Sequence, residues 1–244
     1  MSVGVLEKAF QLLETLATAD EPVSLKVITD EAGLPKPTVC RLLRSMHAMG
    51  YVGQDRKSGE YFLGVKASQL GRGDKYHNLK ETAAPLMQEI HEVLDETVNL
   101  GVLNGESVYY IDFLETSQAL RWIVKPSQVD PYYSTALGRA IVAWLEEEEM
   151  EKILGETDFR KITGCTVSTR AAIRKVLTET RQRGYAEERE ETVDGVVCFA
   201  VPLALIGEPY AAISISVPVQ RLDQERESQI VEIITKLTET KKYE

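Results

Sequence analysis

Between Pro37 and Gly50 the apolar residues Val39, Leu42, Leu43, Met46 and Met49 recur at i, i+3, i+4 and i+7, which predicts a short helix with one buried face. Pro37 suits the first turn, where a missing N–H costs nothing, and Gly50 suits the left-handed stop. The other face is basic and polar: Thr38, Arg41, Arg44, Ser45 and His47 project away from the stripe, with Lys36 just ahead of it. Upstream, Ser24 is the expected N-cap of a helix running to Ala32, with Val27 and Ile28 inward and Gly33 making the turn. Val5, Leu6, Ala9, Phe10, Leu13, Leu16 and Ala17 form a third stripe in residues 5–17. Residues 51–54 and 60–63 flank the turn Lys57-Ser58-Gly59 and predict a hairpin. Three helices and a hairpin in this order make a winged helix-turn-helix. Lys36, Thr38, Arg41, Arg44 and Ser45 are then the expected contacts to phosphates and base edges. A plain helical hairpin with a solvated basic face fits the same residues; the agreement of several independent signals in order and spacing favours DNA.

The period then changes. Gly64, Gly71, Gly73 and Asn78 are interspersed with Lys66, Arg72 and Lys75, while Val65, Ala67 and Leu70 keep helical spacing, so a linker helix ending near Gly71 is expected. Residues 79–94 are strongly periodic, with Leu79, Ala83, Leu86, Met87, Ile90, Val93 and Leu94 inward. Residues 97–103 and 108–113 read as strands joined by the turn Asn104-Gly105-Glu106. A third strand is expected at 120–124, helices at 136–145 and 168–183, a hairpin of 196–205 with 211–217 around Gly207-Glu208, and a last helix from Leu222 to about Lys241. The fold class is α+β on an antiparallel sheet. The expected division is a winged helix-turn-helix in residues 1–64, a linker helix in 65–78 and a second domain in 79–244.

The net charge of −10 by itself opposes a nucleic-acid partner. Residues 1–66, however, carry eight Lys or Arg against eight Asp or Glu, so the excess acid lies elsewhere. A neutral reading domain with a basic helix holds non-specific DNA weakly and gains from a second copy. At 244 residues and 43% apolar content the chain is long enough for two folded domains. The longest uncharged run, residues 195–207, is broken by Pro202 and is too short to span a membrane. The N-terminus lacks the basic and apolar regions of a signal peptide, so a cytoplasmic protein is expected. Cys40, Cys165 and Cys198 form no CxxC pair, which argues against a zinc cluster or a disulfide framework. No GxSxG, HExxH, P-loop or GxGxxG pattern is present, and no cofactor, metal or catalytic residue is expected.

The second domain carries its own chemical pattern. Ser214 and Ser216 alternate with Ile213 and Ile215, so both hydroxyls face one side of a strand; in the neighbouring strand Val196 and Cys198 alternate with Val197 and Phe199. A small ligand lying between the two strands fits this arrangement. An ordinary half-exposed strand fits the alternation as well.

Seven segments, GLPKPTVCRLLRSM with GYV, DETVNLGVL, VYYIDFLE, YYSTALGRAIVAWL, RQRGYAEEREE, CFAVPL and AAISISVP, resemble in order those of the IclR family of transcriptional regulators, over essentially the whole chain. The resemblance implies a winged helix-turn-helix, a linker helix and a GAF/PAS-like effector-binding domain. It also implies dimers or tetramers on palindromic double-stranded operators, controlled by a small organic effector. It assigns Ala119, Trp122, Ala136, Leu137, Glu188, Val196, Cys198, Ser214 and Ser216 to the effector site. Two positions depart from the family pattern: Val197 stands where many relatives have Arg before the cysteine, and Leu137 where many have a small or polar residue. Both are expected to make the pocket more apolar, suited to an aromatic or acyl compound. Glu188 otherwise belongs to a charge run, 187–191, of the kind that is usually a solvated face. Two alternatives remain: a DNA-binding protein whose second domain only oligomerises, and an enzyme using Cys198, whose potential partners His47, His77 and His91 are all remote in sequence.

Overall fold

The computed structural model describes residues 4–19, 21–70, 76–124, 128–206 and 209–240. The chain divides into two compact units, Met1–Lys75 and Tyr76–Glu244.

In the first unit, α1 (Val5–Ala17), α2 (Leu25–Ala32) and α3 (Lys36–Met49) precede a two-stranded hairpin, β1 (Val52–Gln54) and β2 (Tyr61–Leu63), and the short helix α4 (Val65–Leu70). Leu12, Leu16, Ile28, Val39, Leu42, Leu43, Met46 and Val52 make the core. The Ser24 side chain caps α2 by accepting from the Val27 N–H at 3.4 Å, and Gly33 and Gly50 close α2 and α3 in the left-handed region. Asp55 holds the hairpin turn by accepting from the Lys57 and Ser58 N–H groups, at 2.8 and 2.7 Å. Gly64 leaves the hairpin where only glycine fits, because a Cβ would lie 2.4 Å from the Gly50 carbonyl oxygen.

The expected stripes need correction at their edges. Met49 and Val27 are 51% and 43% exposed rather than inward. In α1 the core residues are Leu12 and Leu16, whereas Val5, Leu6 and Phe10 are 60%, 69% and 51% exposed. The periodicity ran one helical position wide of the face that the other helices cover. The expected end of the linker helix near Gly71 lies outside the described residues.

The second unit is a six-stranded antiparallel sheet in the order β5-β4-β3-β8-β7-β6. Its strands are β3 (Thr97–Asn104), β4 (Ser107–Leu114), β5 (Val129–Pro131), β6 (Ala186–Arg189), β7 (Val196–Pro202) and β8 (Ala211–Pro218). One face is covered by α5 (His77–Leu94) and α9 (Gln224–Thr240), which bury Leu86, Ile90, Ile230 and Ile234 against Val98, Leu100, Phe199 and Ile215. On the other face lies α6 (Ala136–Val142), backed by α7 (Glu147–Glu156) and α8 (Arg170–Arg183). α6 comes close because the chain is small beneath it. Ala200 and Ala212 pack under the helix, and a Cβ on Gly101 would lie 2.8 Å from Leu137.

Four expectations change here. Residues 120–124 are not a strand; the preceding chain is pinned into a bend by the Asp95 carboxylate, which accepts from the Ser117 N–H at 2.9 Å and its hydroxyl at 2.7 Å. The strand that pairs with β4 at one sheet edge is β5. α7 and β6 were not expected, and Val93 is 54% exposed rather than inward. The 207–208 turn and Lys241 lie outside the described residues.

Candidate functional site

The basic face of α3 is free of the core that its apolar face builds. Lys36, Arg41, Arg44 and Ser45 are exposed and Thr38 is half-buried; Arg41, Arg44 and Ser45 lie on the side away from Val39, Leu42, Leu43 and Met46, and Lys36 and Thr38 sit in the first turn. The Ser45 hydroxyl donates to the Arg41 carbonyl at 3.1 Å and keeps its lone pairs as acceptors. His47 serves the fold: its Nδ1 meets the Val52 carbonyl at 2.9 Å and ties α3 to the hairpin. Two guanidinium forks on one exposed helix face, with an ammonium at the helix start, are suited to phosphates and guanine edges.

The second unit holds a cleft between α6 and the sheet. It is narrow, with about 20 Å³ of free space, and its lining includes the first turn of α6, β4, β6, β7, β8 and the turn before β7. Ser214 and Ser216 lie on its floor because β8 alternates, and Cys198 stands opposite Ser216 in register on β7. Beside them, on the same sheet face, Asn99 of β3 donates through Nδ2 to Ser216 Oγ at 3.1 Å and Ser214 Oγ at 3.4 Å, while its Oδ1 is buried without a partner. The Cys198 thiol donates to Ser216 Oγ at 3.4 Å, and its pKa is pushed well up, chiefly by burial and next by the Glu188 carboxyl.

Glu188 enters from β6, paired with Cys198, and is 2% exposed. Burial raises its pKa to about 7, although its Oε2 accepts from the Glu191 N–H at 2.9 Å. The turn that follows β6 is clamped by Arg139 of α6. That side chain is 2% exposed and bonds both Glu191 carboxylate oxygens, at 2.7 and 2.6 Å, together with the Tyr133 and Glu187 carbonyls. Thr192 donates to the Ser134 carbonyl at 2.7 Å, and the Tyr110 hydroxyl donates to Asp130 at 3.0 Å. Burial, then Asp130, holds the Tyr110 pKa high.

Of the residues singled out in this domain, Trp122, Ala136, Leu137, Glu188, Val196, Cys198, Ser214 and Ser216 line the cleft. Ala119 does not; it is exposed, in the bend that Asp95 holds. Val197 points into the α5–α9 core, away from the cleft, so it does not make the lining more apolar as expected. The run 187–191 is not a solvated face either: Glu188 and Glu191 are both buried. Sequence reasoning missed Tyr110, Thr135, Thr192 and Val193 in the lining and Arg139 behind it. An arginine within the apolar stretch Leu137 to Val142 was the available signal for the last. Among the described residues there is no cluster suited to a metal ion, and no helix is long and apolar enough to cross a membrane.

Comparison with known proteins finds relatives of both units. Residues 5–56 match the family model described as the IclR helix-turn-helix domain, and residues 75–240 match that described as the bacterial transcriptional regulator IclR C-terminal. The HTH-type transcriptional regulator KdgR of Escherichia coli K12 is 32% identical over 235 residues, spanning 96% of this chain and 89% of KdgR. The crystal structure of the Thermotoga maritima IclR aligns at TM-score 0.75 and 24% identity over 98% of both chains. An IclR homologue of Microbacterium hydrocarbonoxydans, complexed with 4-hydroxybenzoate, aligns at TM-score 0.75 and 22% identity, again over 98% of both. At these identities the two structures are alike in fold: a helix-turn-helix domain followed by an α+β domain on a curled antiparallel sheet.

Proposed function

The chain belongs to the IclR family of DNA-binding transcriptional regulators with an effector-binding C-terminal domain, and on that premise we propose how its own residues divide the work. Residues 1–64 read a palindromic operator, with Thr38, Arg41 and Ser45 toward base edges and Lys36 and Arg44 toward phosphates. Residues 65–78 link, and residues 79–244 bind a small organic effector and oligomerise. The effector lies in the cleft on Ser214, Ser216 and Cys198, between Trp122, Leu137 and Val196, and its binding resets operator affinity. The protein is a dimer or tetramer working in the cytoplasm, and it is not an enzyme. The Cys198 thiol, its pKa raised by burial, is a poor nucleophile, and His77 and His91 sit on α5 across the sheet.

The observation that carries this reading is the cleft itself. It gathers residues from loops and strands far apart in sequence around polar groups that an ordinary core would not contain. The bound 4-hydroxybenzoate of the Microbacterium homologue supports an organic molecule as the class of effector. Selecting random duplexes on the purified protein yields the operator. A library of small organic molecules is then screened by thermal unfolding against the parent and Ser214→Ala/Ser216→Ala. Compounds that stabilise the parent, stabilise the variant less and change operator affinity support the reading. A library that stabilises neither protein points to a second domain that only oligomerises.

A further inference from the structure

We propose that Asn99 is a positioning residue of the cleft: it sets Ser214 and Ser216 as a pair of proton donors, so the ligand group that lies on them is an acceptor oxygen. The inference rests on reading the cleft as the effector site.

Asn99 is 1% exposed and lies outside the lining, yet it touches both hydroxyls that β8 supplies to the floor. Its register partner on β8 is Ser214, and Ser216 pairs with Thr97, so Asn99 and the two serines share one face of the sheet. The amide nitrogen has two protons and two acceptors, Ser216 Oγ and Ser214 Oγ. Ser216 Oγ also accepts from the Cys198 thiol, which fills both of its lone-pair positions. A hydroxyl in that state can only donate. Among the described residues neither serine proton goes to a protein acceptor, so both are left for what lies in the cleft.

With the amide turned over, Oδ1 would take both serine protons and the floor would lose its two donors. Counting buried groups decides between the two orientations. As the amide stands, one oxygen, Asn99 Oδ1, lacks a partner; turned over, the two N–H protons would take its place. A buried amide with even one unpaired atom costs stability that an apolar residue would not, so the fold alone does not account for Asn99. Its effect on the serines does.

The sheet fixes this arrangement before a ligand arrives. β3, β8 and β7 are inner strands, each paired on both sides. The cleft above them has about 20 Å³ of free space, so an entering ligand displaces lining from outside the sheet, Trp122 and the turn residues Thr192 and Val193 among it. The two donors on the floor need no rearrangement.

The test is NMR titration of the full-length protein with neutral probes matched in shape: cyclopentanone against pyrrole, and acetophenone against indole. The ketones only accept and the heterocycles only donate. Movement of the Trp122 indole signal locates a probe in the cleft. The parent should bind at least one ketone, and Asn99→Asp should lower its preference over the matched heterocycle about tenfold, the difference two neutral hydrogen bonds confer. That variant keeps the shape of the side chain but at about pH 8.5 offers only lone pairs, which take both serine protons. No probe carries a charge for the new carboxylate to repel. A residue that merely shaped the sheet would weaken both members of a pair alike. Where Asn99→Asp does not fold, Asn99→Ala takes its place and should lose most of the preference. A ratio unchanged by the substitution, or a parent that binds only the heterocycles, overturns the inference while leaving the cleft as the effector site. Binding of no probe by the parent overturns the inference together with the reading on which it rests.

Discussion

Arg139 holds Glu191 by both carboxylate oxygens inside the second unit, and the backbone N–H of that same Glu191 holds the Glu188 carboxyl at the cleft. The β6 side of the site is thus held by a buried charge pair outside its lining. Arg139→Leu leaves a buried carboxylate without its partner and should cost about 3–5 kcal/mol, read as a fall in the urea midpoint. Replacing Glu191 with Leu in the same chain should restore part of the loss. A single variant as stable as the parent would show that the pair does not hold the turn.

Stability should also report on Glu188. Its pKa is about 7 in the folded chain and near 4.5 when exposed, so the folded state holds a proton that the unfolded state releases first. The stability this adds is complete below about pH 4.5 and is lost as pH rises through about 7. Relative to the parent, Glu188→Gln should become more stable between pH 5 and pH 8, by up to about 3 kcal/mol. Parallel denaturation curves at the two pH values, with no change in the difference, would place Glu188 in contact with solvent.

On α3 the two arginines should behave differently. Arg41→Ala should cost about 1–3 kcal/mol on the selected operator and relax its sequence preference, whereas Arg44→Ala should weaken all duplexes nearly equally and lower the salt slope. Anisotropy titrations at fixed salt decide the matter. Operator affinity of Arg41→Ala equal to the parent would mean that another face reads the DNA.

The outward side of α1 carries Val5, Leu6 and Phe10, each more than half exposed in the single chain. We expect a second copy to cover them, since a neutral reading domain gains affinity and half-site spacing by pairing. Leu6→Glu with Phe10→Glu should leave the fold intact, touch no core residue, and shift the sedimentation coefficient toward smaller species. A parent that sediments as a monomer at micromolar concentration would contradict this.

The features legible in the sequence were those enforced locally. The Ser24 cap, the glycine stops and the α3 stripe need only neighbours three or four residues away. The alternation of β8 likewise fixes which side Ser214 and Ser216 face. The readings that failed depended on distant partners. Residues 120–124 have strand composition, yet Asp95 bends the chain just before them. Glu188 and Glu191 look like surface charge until Arg139, far off in sequence, is seen to neutralise the turn from beneath. Val197 and Cys198 are adjacent, and which of them meets the cleft is set by the register of β7 on β8. Tyr110 and Thr192 entered the site through pairings that no short window contains.

The pairing of β3 with β8 also orders events during synthesis. Asn99 and Ser214 are 115 residues apart, so the floor of the cleft cannot form until nearly the whole chain has left the ribosome. The unit Met1–Lys75 has its own core, and the contacts of that core all lie within those residues, so it can fold while that strand is still unmade. A nascent chain can therefore form its helix-turn-helix unit well before the effector-binding unit is complete. Truncation between Lys75 and Ala211 leaves the first unit complete and removes the strand that carries both serines.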